Sequence, residues 1–264
     1  MSNIKISERL KKVARCVNEG SKVADIGCDH AYIAIYLIKN NIATKVVAMD
    51  INKGPLQKAK KNIEEYGCLT QIDTRLSDGA KKLEVGEVDT ILISGMGGRL
   101  ISKILAESID VVRECSQLVL QPQSEIYLVR KFLDKIGFSI IYEDMLIEDG
   151  KYYVIINAKN KLNLENLDKD KDILELKNAL QNIDVNIDEL DKNSDITVDE
   201  KYGKYLLETK NDILHEFLLK EITKINDITV ELSSKMGDDE RLKNRINELN
   251  KEKELISEAL RYYE

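Results

Sequence analysis

Apolar and polar positions follow two different periods along this chain, and the switches between them mark its elements. Residues 4–18 place Ile4, Ile6, Leu10, Val13, Ala14 and Val17 mainly on one helical stripe, with Lys5, Arg9 and Lys12 away from it, which predicts an amphipathic helix. A strand, Lys22-Val23-Ala24-Asp25-Ile26, runs into a glycine turn, and helical spacing resumes from Ala31 to Lys39. The apolar run from Lys45 to Met49 ends in Asp50, and residues 55–66 fit a helix with Pro55 in its first turn. Third, fourth and fifth strands are predicted over 71–76, 88–94 and 117–120. They end at Ser77-Asp78-Gly79, Gly95-Met96-Gly97-Gly98 and Gln121-Pro122-Gln123. Strand and helix alternating at this pitch require right-handed crossovers, hence a parallel sheet between helical layers.

The alternation then stops. Residues 139–147 and 152–158 both read as strands, and the four residues Glu148-Asp149-Gly150-Lys151 between them are far too few for a parallel crossover. These strands must pair antiparallel. An α/β sheet with five parallel strands and such a terminal hairpin resembles the Rossmann-like sheet of the class I S-adenosylmethionine-dependent methyltransferases, whereas an NAD-binding sheet continues parallel. From 161 to 198 the text turns polar, and within it residues 173–187 fit a helix. Beyond 199, Leu214, Leu218, Ile225, Ile228 and Leu232 lie near heptad spacing, and so do Leu242, Ile246, Leu249, Ile256, Leu260 and Tyr263, with Lys253 in the missing seam position. Two such helices flanking residues 233–239, with Asp238 as N-cap of the second, predict an antiparallel, coiled-coil-like helical hairpin. Three regions follow: 1–160, a polar insert over 161–198, and 199–264.

Charge separates these regions further. Forty basic and 47 acidic residues give a net charge of -7, against a uniformly basic nucleic-acid coat. Residues 1–160 hold 23 Lys and Arg against 21 Asp and Glu, while 161–264 hold 17 against 26. The excess acid therefore sits outside the predicted sheet, and local basic clusters such as the first helix can still meet a polyanion. No apolar stretch reaches membrane-spanning length and no signal-peptide core is present, so a cytoplasmic protein without membrane attachment is expected. Cys16, Cys28, Cys68 and Cys115 lie too far apart for a metal pair, and with only His30 and His215 no metal site is expected. The thiols read as buried, His30 as a packed or capping residue, and His215 as a surface one.

Chemistry concentrates at the strand ends. In Asp25-Ile26-Gly27-Cys28-Asp29-His30-Ala31-Tyr32, Gly27 allows close approach of a ligand to backbone, and the following helix offers free N–H groups. The loop is not a dinucleotide fingerprint, because Asp29 and Ala31 stand where further glycines often occur. An acidic side chain there repels pyrophosphate and suits a cation. S-Adenosylmethionine carries a sulfonium and an ammonium and no phosphate. Asp50, 23 residues after Gly27, has the spacing of a carboxylate that accepts both ribose hydroxyls, and Asp78 can accept an adenine amino group. The Ser94-Gly95-Met96-Gly97-Gly98 turn lacks the Asn/Asp-Pro-Pro-aromatic pattern used on exocyclic amines. It suits a nucleophile with a free lone pair, such as a ring nitrogen, though the glycines also serve any tight turn. Arg9, Lys12 and Arg99 are candidates for phosphate or carboxylate contacts.

With Asp25 to Tyr32, Met49-Asp50-Ile51-Asn52, Leu76-Ser77-Asp78-Gly79-Ala80, Ile93 to Gly98 and Leu120-Gln121-Pro122-Gln123 in place, the chain resembles the bacterial tRNA (adenine(22)-N(1))-methyltransferases, the TrmK family. Ser7-Glu8-Arg9-Leu10 and Tyr202-Gly203-Lys204-Tyr205-Leu206-Leu207 carry the resemblance too, which covers 5–158 and resumes from about 199. Cys28 stands where the family more often has Ser, Gln123 where it tends to have Asn, and Lys204 where it tends to have Pro. The resemblance implies N1 methylation of an adenine in the D arm of tRNA, with S-adenosylmethionine as cofactor, by a protein expected to be a monomer. It implies that Arg9, Asp25, Gly27, Cys28, Asp29, His30, Asp50, Ile51, Asp78, Gly79, Ser94, Gly95 and Met96 hold the cofactor. Asp29, Ser94 and Gly95 are expected to serve the transfer itself. A methyltransferase acting on another RNA position or on a small molecule is the rival enzyme reading. A cofactor-sensing module whose acidic hairpin engages a protein is the non-enzymatic one.

Overall fold

A computed structural model describes residues 4–163, 185–192, 196–234 and 239–264. Its sheet grows from the apolar runs: β1 (Ser21–Ile26), β2 (Ala43–Asp50), β3 (Ile72–Leu76), β4 (Thr90–Met96), β5 (Gln117–Pro122), β6 (Phe138–Glu148) and β7 (Lys151–Asn160). In space they lie in the order β3-β2-β1-β4-β5-β7-β6. The first five pair parallel, and β7 runs antiparallel to both β5 and β6. The expected terminal hairpin is present, turning at Asp149 and Gly150, but its second strand inserts between β5 and the first. The continuous apolar runs Ile91-Leu92-Ile93 and Leu118-Val119-Leu120 are fully buried, as strands covered on both faces must be. The fourth and fifth strands run two residues further than expected, to Met96 and Pro122.

Helices α1 (Glu8–Arg15), α2 (Tyr32–Lys39), α3 (Lys53–Glu65), α4 (Gly98–Ala106), α5 (Ile109–Glu114) and α6 (Ile126–Lys135) accompany the sheet. The first is shorter than the 4–18 stripe, because Ser7 takes extended backbone and its Oγ accepts from Leu10 N at 3.3 Å, a cap that starts the helix at Glu8. Ile4, Val13, Ala14 and Val17 still enter the core, with Ile6 and Leu10 packed against it. The α4–α6 helices follow turns that the strand pattern alone did not resolve.

Strand order reverses between β1 and β4. At such a switch point the loops on either side diverge and open a crevice at the carboxyl ends of the strands.

The chain divides into two compact units, Met1–Ser194 and Asp195–Glu264. In the first, α7 (Ile187–Lys192) follows the sheet domain, while residues 173–184 of the predicted 173–187 helix lie outside the described residues. In the second, a π-helical turn (Asp199–Gly203) and α8 (Lys204–Glu208) precede α9 (Asp212–Ser234) and α10 (Glu240–Leu260). Those two long helices pack on each other, burying Leu214, Leu218 and Ile225 on one and Leu249, Ile256 and Ala259 on the other. The N-cap of α10 is Asp239, whose carboxylate accepts from Arg241 N at 2.9 Å, not the expected Asp238. Lys253 is exposed and Ala259 takes a seam place, so the real packing stripe drifts from a strict heptad. His215 is half-buried and stacks on Tyr263 at 4.3 Å, rather than lying free on the surface.

Candidate functional site

The loop after β1 is built from left-handed backbone. Gly27, Asp29 and Ala31 have φ of 76°, 49° and 59°. Alternate residues thus adopt the conformation that glycine-rich loops reach without cost, here with only one glycine; a non-glycine residue in this region costs of order 1 kcal/mol. At Gly27 the positive φ favours glycine, and a Cβ there would sit 2.2 Å from Met96 Cε, the mobile end of a side chain that would have to swing aside. Gly27 N and Cys28 N both donate to Met49 O at 2.9 Å, which fixes the loop against the end of β2. Asp29 is left with a side chain 75% exposed, 3.4 Å from His30 Nε2. His30 is half-buried, and Asn62 Nδ2 holds its carbonyl at 2.9 Å.

Acids gather beneath this loop. Asp25, the last polar residue of β1, is 2% exposed, and its Oδ2 is buried with no hydrogen-bond partner. Burial, and then the charge of Asp50, push its carboxyl up to about 7. A buried, unpartnered carboxyl oxygen beside a second acid is stabilised by a cation. Asp50 at the end of β2 accepts from Asn52 N at 2.7 Å through one carboxylate oxygen. Asp78, after β3, is paired with Lys81 at 2.5 Å, and Lys81 also reaches Glu107 at 2.9 Å. Asp78 is thus the least free acid of the set. The Cys28 thiol is pushed up by burial first and by Asp25, Asp50 and Asp29 next, so it stays protonated.

Across the crevice the ends of β4 and β5 are laced together. The ladder slips by one residue between Ser94 and Met96, and Gln123 N donates to Met96 O at 2.9 Å. Gly98 N donates to Ser124 O at 2.8 Å. A Cβ on Gly98 would meet Glu125 O at 2.4 Å, so this glycine exists for close backbone approach. Arg9, carried by α1, closes the wall: Nη1 donates to Gln121 Oε1 at 2.6 Å and to Ser94 Oγ at 3.1 Å. Ser94 Oγ in turn donates to Gln121 Oε1 at 3.2 Å.

These two walls enclose a cavity of about 530 Å³. Each of Arg9, Asp25, Gly27, Cys28, Asp29, His30, Asp50, Ile51, Asp78, Gly79, Ser94, Gly95 and Met96 lines it. Sequence reasoning missed Tyr32, Ser77 and Leu100 in the lining, and the buried Gln121 behind it. A polar residue closing an otherwise apolar strand, as in Leu118-Val119-Leu120-Gln121, was the available signal for Gln121. Glu148 had none, because it meets Arg9 from 139 residues away. The other candidate cations hold carboxylates within the protein: Lys12 pairs with Asp144 at 2.5 Å, and Arg99 with Glu125 at 3.2 Å, Asp188 at 2.7 Å and Asp191. The first helix is therefore a weaker basic cluster than its composition suggests.

The cavity's volume suits a nucleoside-sized ligand. Its buried unpartnered Asp25 oxygen, the acids around it and the bare Gly27 backbone suit a ligand carrying positive charge and no phosphate. S-Adenosylmethionine fits that description. Among the described residues no group of three metal-ligating side chains occurs, and no helix is long and apolar enough to cross a membrane.

A methyltransferase-domain family matches residues 6–156. The tRNA (adenine(22)-N(1))-methyltransferase of Bacillus subtilis is 38% identical over 159 residues, which is 60% of this chain and 67% of that protein. The crystal structure of the B. subtilis M1A22 tRNA methyltransferase TrmK superposes with a TM-score of 0.77 at 30% identity, covering 98% of this chain and 100% of that one. M. capricolum TrmK, solved with the cofactor product S-adenosyl-homocysteine, gives a TM-score of 0.68 at 27% identity, over 95% and 99% of the two chains.

Proposed function

The chain belongs to the methyltransferase-domain family and, within it, to the tRNA (adenine(22)-N(1))-methyltransferases, and from that premise we propose that it methylates N1 of adenine 22, in the D arm of tRNA. S-Adenosylmethionine would supply the electrophilic methyl group. The observation that carries the reading is the contrast within one cavity: an acidic wall with an unpartnered buried Asp25 oxygen faces a small-residue turn at Ser94 and Gly95.

On this reading Asp25 meets the cofactor's ammonium, Asp50 its ribose hydroxyls, and Asp78 its adenine, with Gly27, Cys28, Ile51 and Gly79 shaping the bed. Arg9, His30 and Met96 bound it. The turn at Ser94 and Gly95 offers backbone and space rather than an acid or an amide, which matches an acceptor nitrogen that already owns its lone pair. Because N1 lies on the Watson–Crick edge, the base must leave its pair before it enters. Alignment of donor and acceptor contributes several kcal/mol. Asp29, exposed at the mouth, faces the positive charge that passes to the purine. The sheet domain supplies this chemistry, and the protein works as a cytoplasmic monomer.

The test is incubation with labelled S-adenosylmethionine and unmodified tRNA, followed by nucleotide mapping. 1-Methyladenosine at position 22 supports the reading. Label at another position, or only in small molecules, sinks it.

A further inference from the structure

Glu148 stands at the end of β6, outside the cavity lining, yet it meets the one arginine that forms the cavity wall. Its Oε1 accepts from Arg9 N at 3.0 Å and its Oε2 lies 3.6 Å from Arg9 Nε, with the two side chains only 22% and 19% exposed. Arg9 Nε is buried and makes no hydrogen bond of its own, so the carboxylate meets it as a charge. The same guanidinium packs 5.2 Å from the Tyr153 ring centroid, on the neighbouring strand β7. Lys12, one turn further along α1, pairs instead with Asp144.

A permanent cation in the wall suits the ligand's carboxylate and opposes its sulfonium. We propose that Glu148 is a positioning and charge-compensating residue, which cancels the Arg9 charge at the cavity wall and so sets the preference for the sulfonium cofactor over its neutral thioether product. The proposal rests on the cofactor reading above. S-Adenosylmethionine and S-adenosylhomocysteine share their ammonium, carboxylate, ribose and adenine and differ in the methyl group and the charge it brings to sulfur. Their affinity ratio therefore reports the field at that point, whereas damage to the general shape of the site moves both affinities together.

The experiment is calorimetric titration of the full chain with each ligand. In Glu148→Gln, which keeps size and an acceptor for Arg9 N, S-adenosylmethionine binding should weaken about three- to tenfold more than that of S-adenosylhomocysteine. The difference should shrink as salt is raised. Arg9→Gln should move the ratio the opposite way, and the double variant should return it towards wild type. Should Glu148→Gln fail to fold, the opposite sign in Arg9→Gln carries the test. An unchanged ratio in the variants, or equal losses for both ligands, overturns the proposal. A wild-type chain that binds neither ligand overturns the cofactor reading instead.

Discussion

The two walls of the cavity solve different problems. On the β1–β3 side the backbone is strained at Asp29 and Ala31, and Asp25 keeps a buried oxygen without a partner. On the β4–β5 side almost every polar group is already spent: Gln123 on Met96, Gly98 on Ser124, and Ser94 and Gln121 on Arg9. One wall is left electrostatically incomplete, which costs folding free energy that a bound cation returns. The other has its polar groups largely paired, Arg9 Nε excepted, and selects by shape. A methyl donor must be held by its charge, while a flat base need only be admitted at the right place. The contrast predicts that substitutions in the bed of the first wall, at Gly27 and Asp25, act on cofactor affinity, while Gly98, in the second, acts on stability.

The largest expected effect is at the mouth, on transfer itself. Asp29→Asn keeps a residue tolerant of left-handed backbone but removes the charge, and should lower single-turnover methylation at saturating cofactor by about 10²- to 10³-fold, beyond any loss of cofactor affinity. Near-normal turnover would remove Asp29 from the reaction. Next, Gly27→Ala should weaken S-adenosylmethionine binding by about ten- to a hundredfold, because the positive φ opposes a side chain and the Met96 methyl must move aside. A calorimetric Kd close to wild type would show that the loop has room to spare.

Gly98→Ala tests the opposite wall. Its Cβ would press on Glu125 O, and the two strand-end loops must part, at a cost of about 1–3 kcal/mol in denaturant unfolding. The cofactor Kd should change much less than the stability; the reverse pattern would break the comparison.

The smallest effect is a pH dependence. Asp25 is raised to about 7, above its unfolded value, so the folded chain keeps a proton that the unfolded chain releases. Its contribution to stability is full below about pH 4 and is lost as pH rises towards 7. Binding a cation favours the ionised carboxyl, so cofactor affinity should rise about tenfold between pH 6 and pH 8. Asp25→Asn should flatten both profiles, and a flat wild-type affinity over that range would show that no cation meets Asp25.

Much of this was legible in the residues themselves. The spacing of Gly27 and Asp50, the acids at successive strand ends and the four-residue turn at 148–151 act through local geometry, so sequence order alone places them at the carboxyl edge of a parallel sheet closed by a hairpin. Side-chain periodicity likewise exposed the packing faces of α9 and α10, though the cap of α10 fell at Asp239, one residue beyond the expected acid. What only the tertiary structure decided are the pairings between distant segments. The insertion of β7 between β5 and β6, the approach of Gly98 to the 124–125 backbone, and the reach of Glu148 and Gln121 to Arg9 have no periodic trace, because each depends on where two elements come to rest. Asp25 shows both levels at once: its position at a strand end is written in the sequence, while the raised carboxyl and the unpartnered oxygen arise only when folding buries it beside Asp50 and removes the water that would have solvated it.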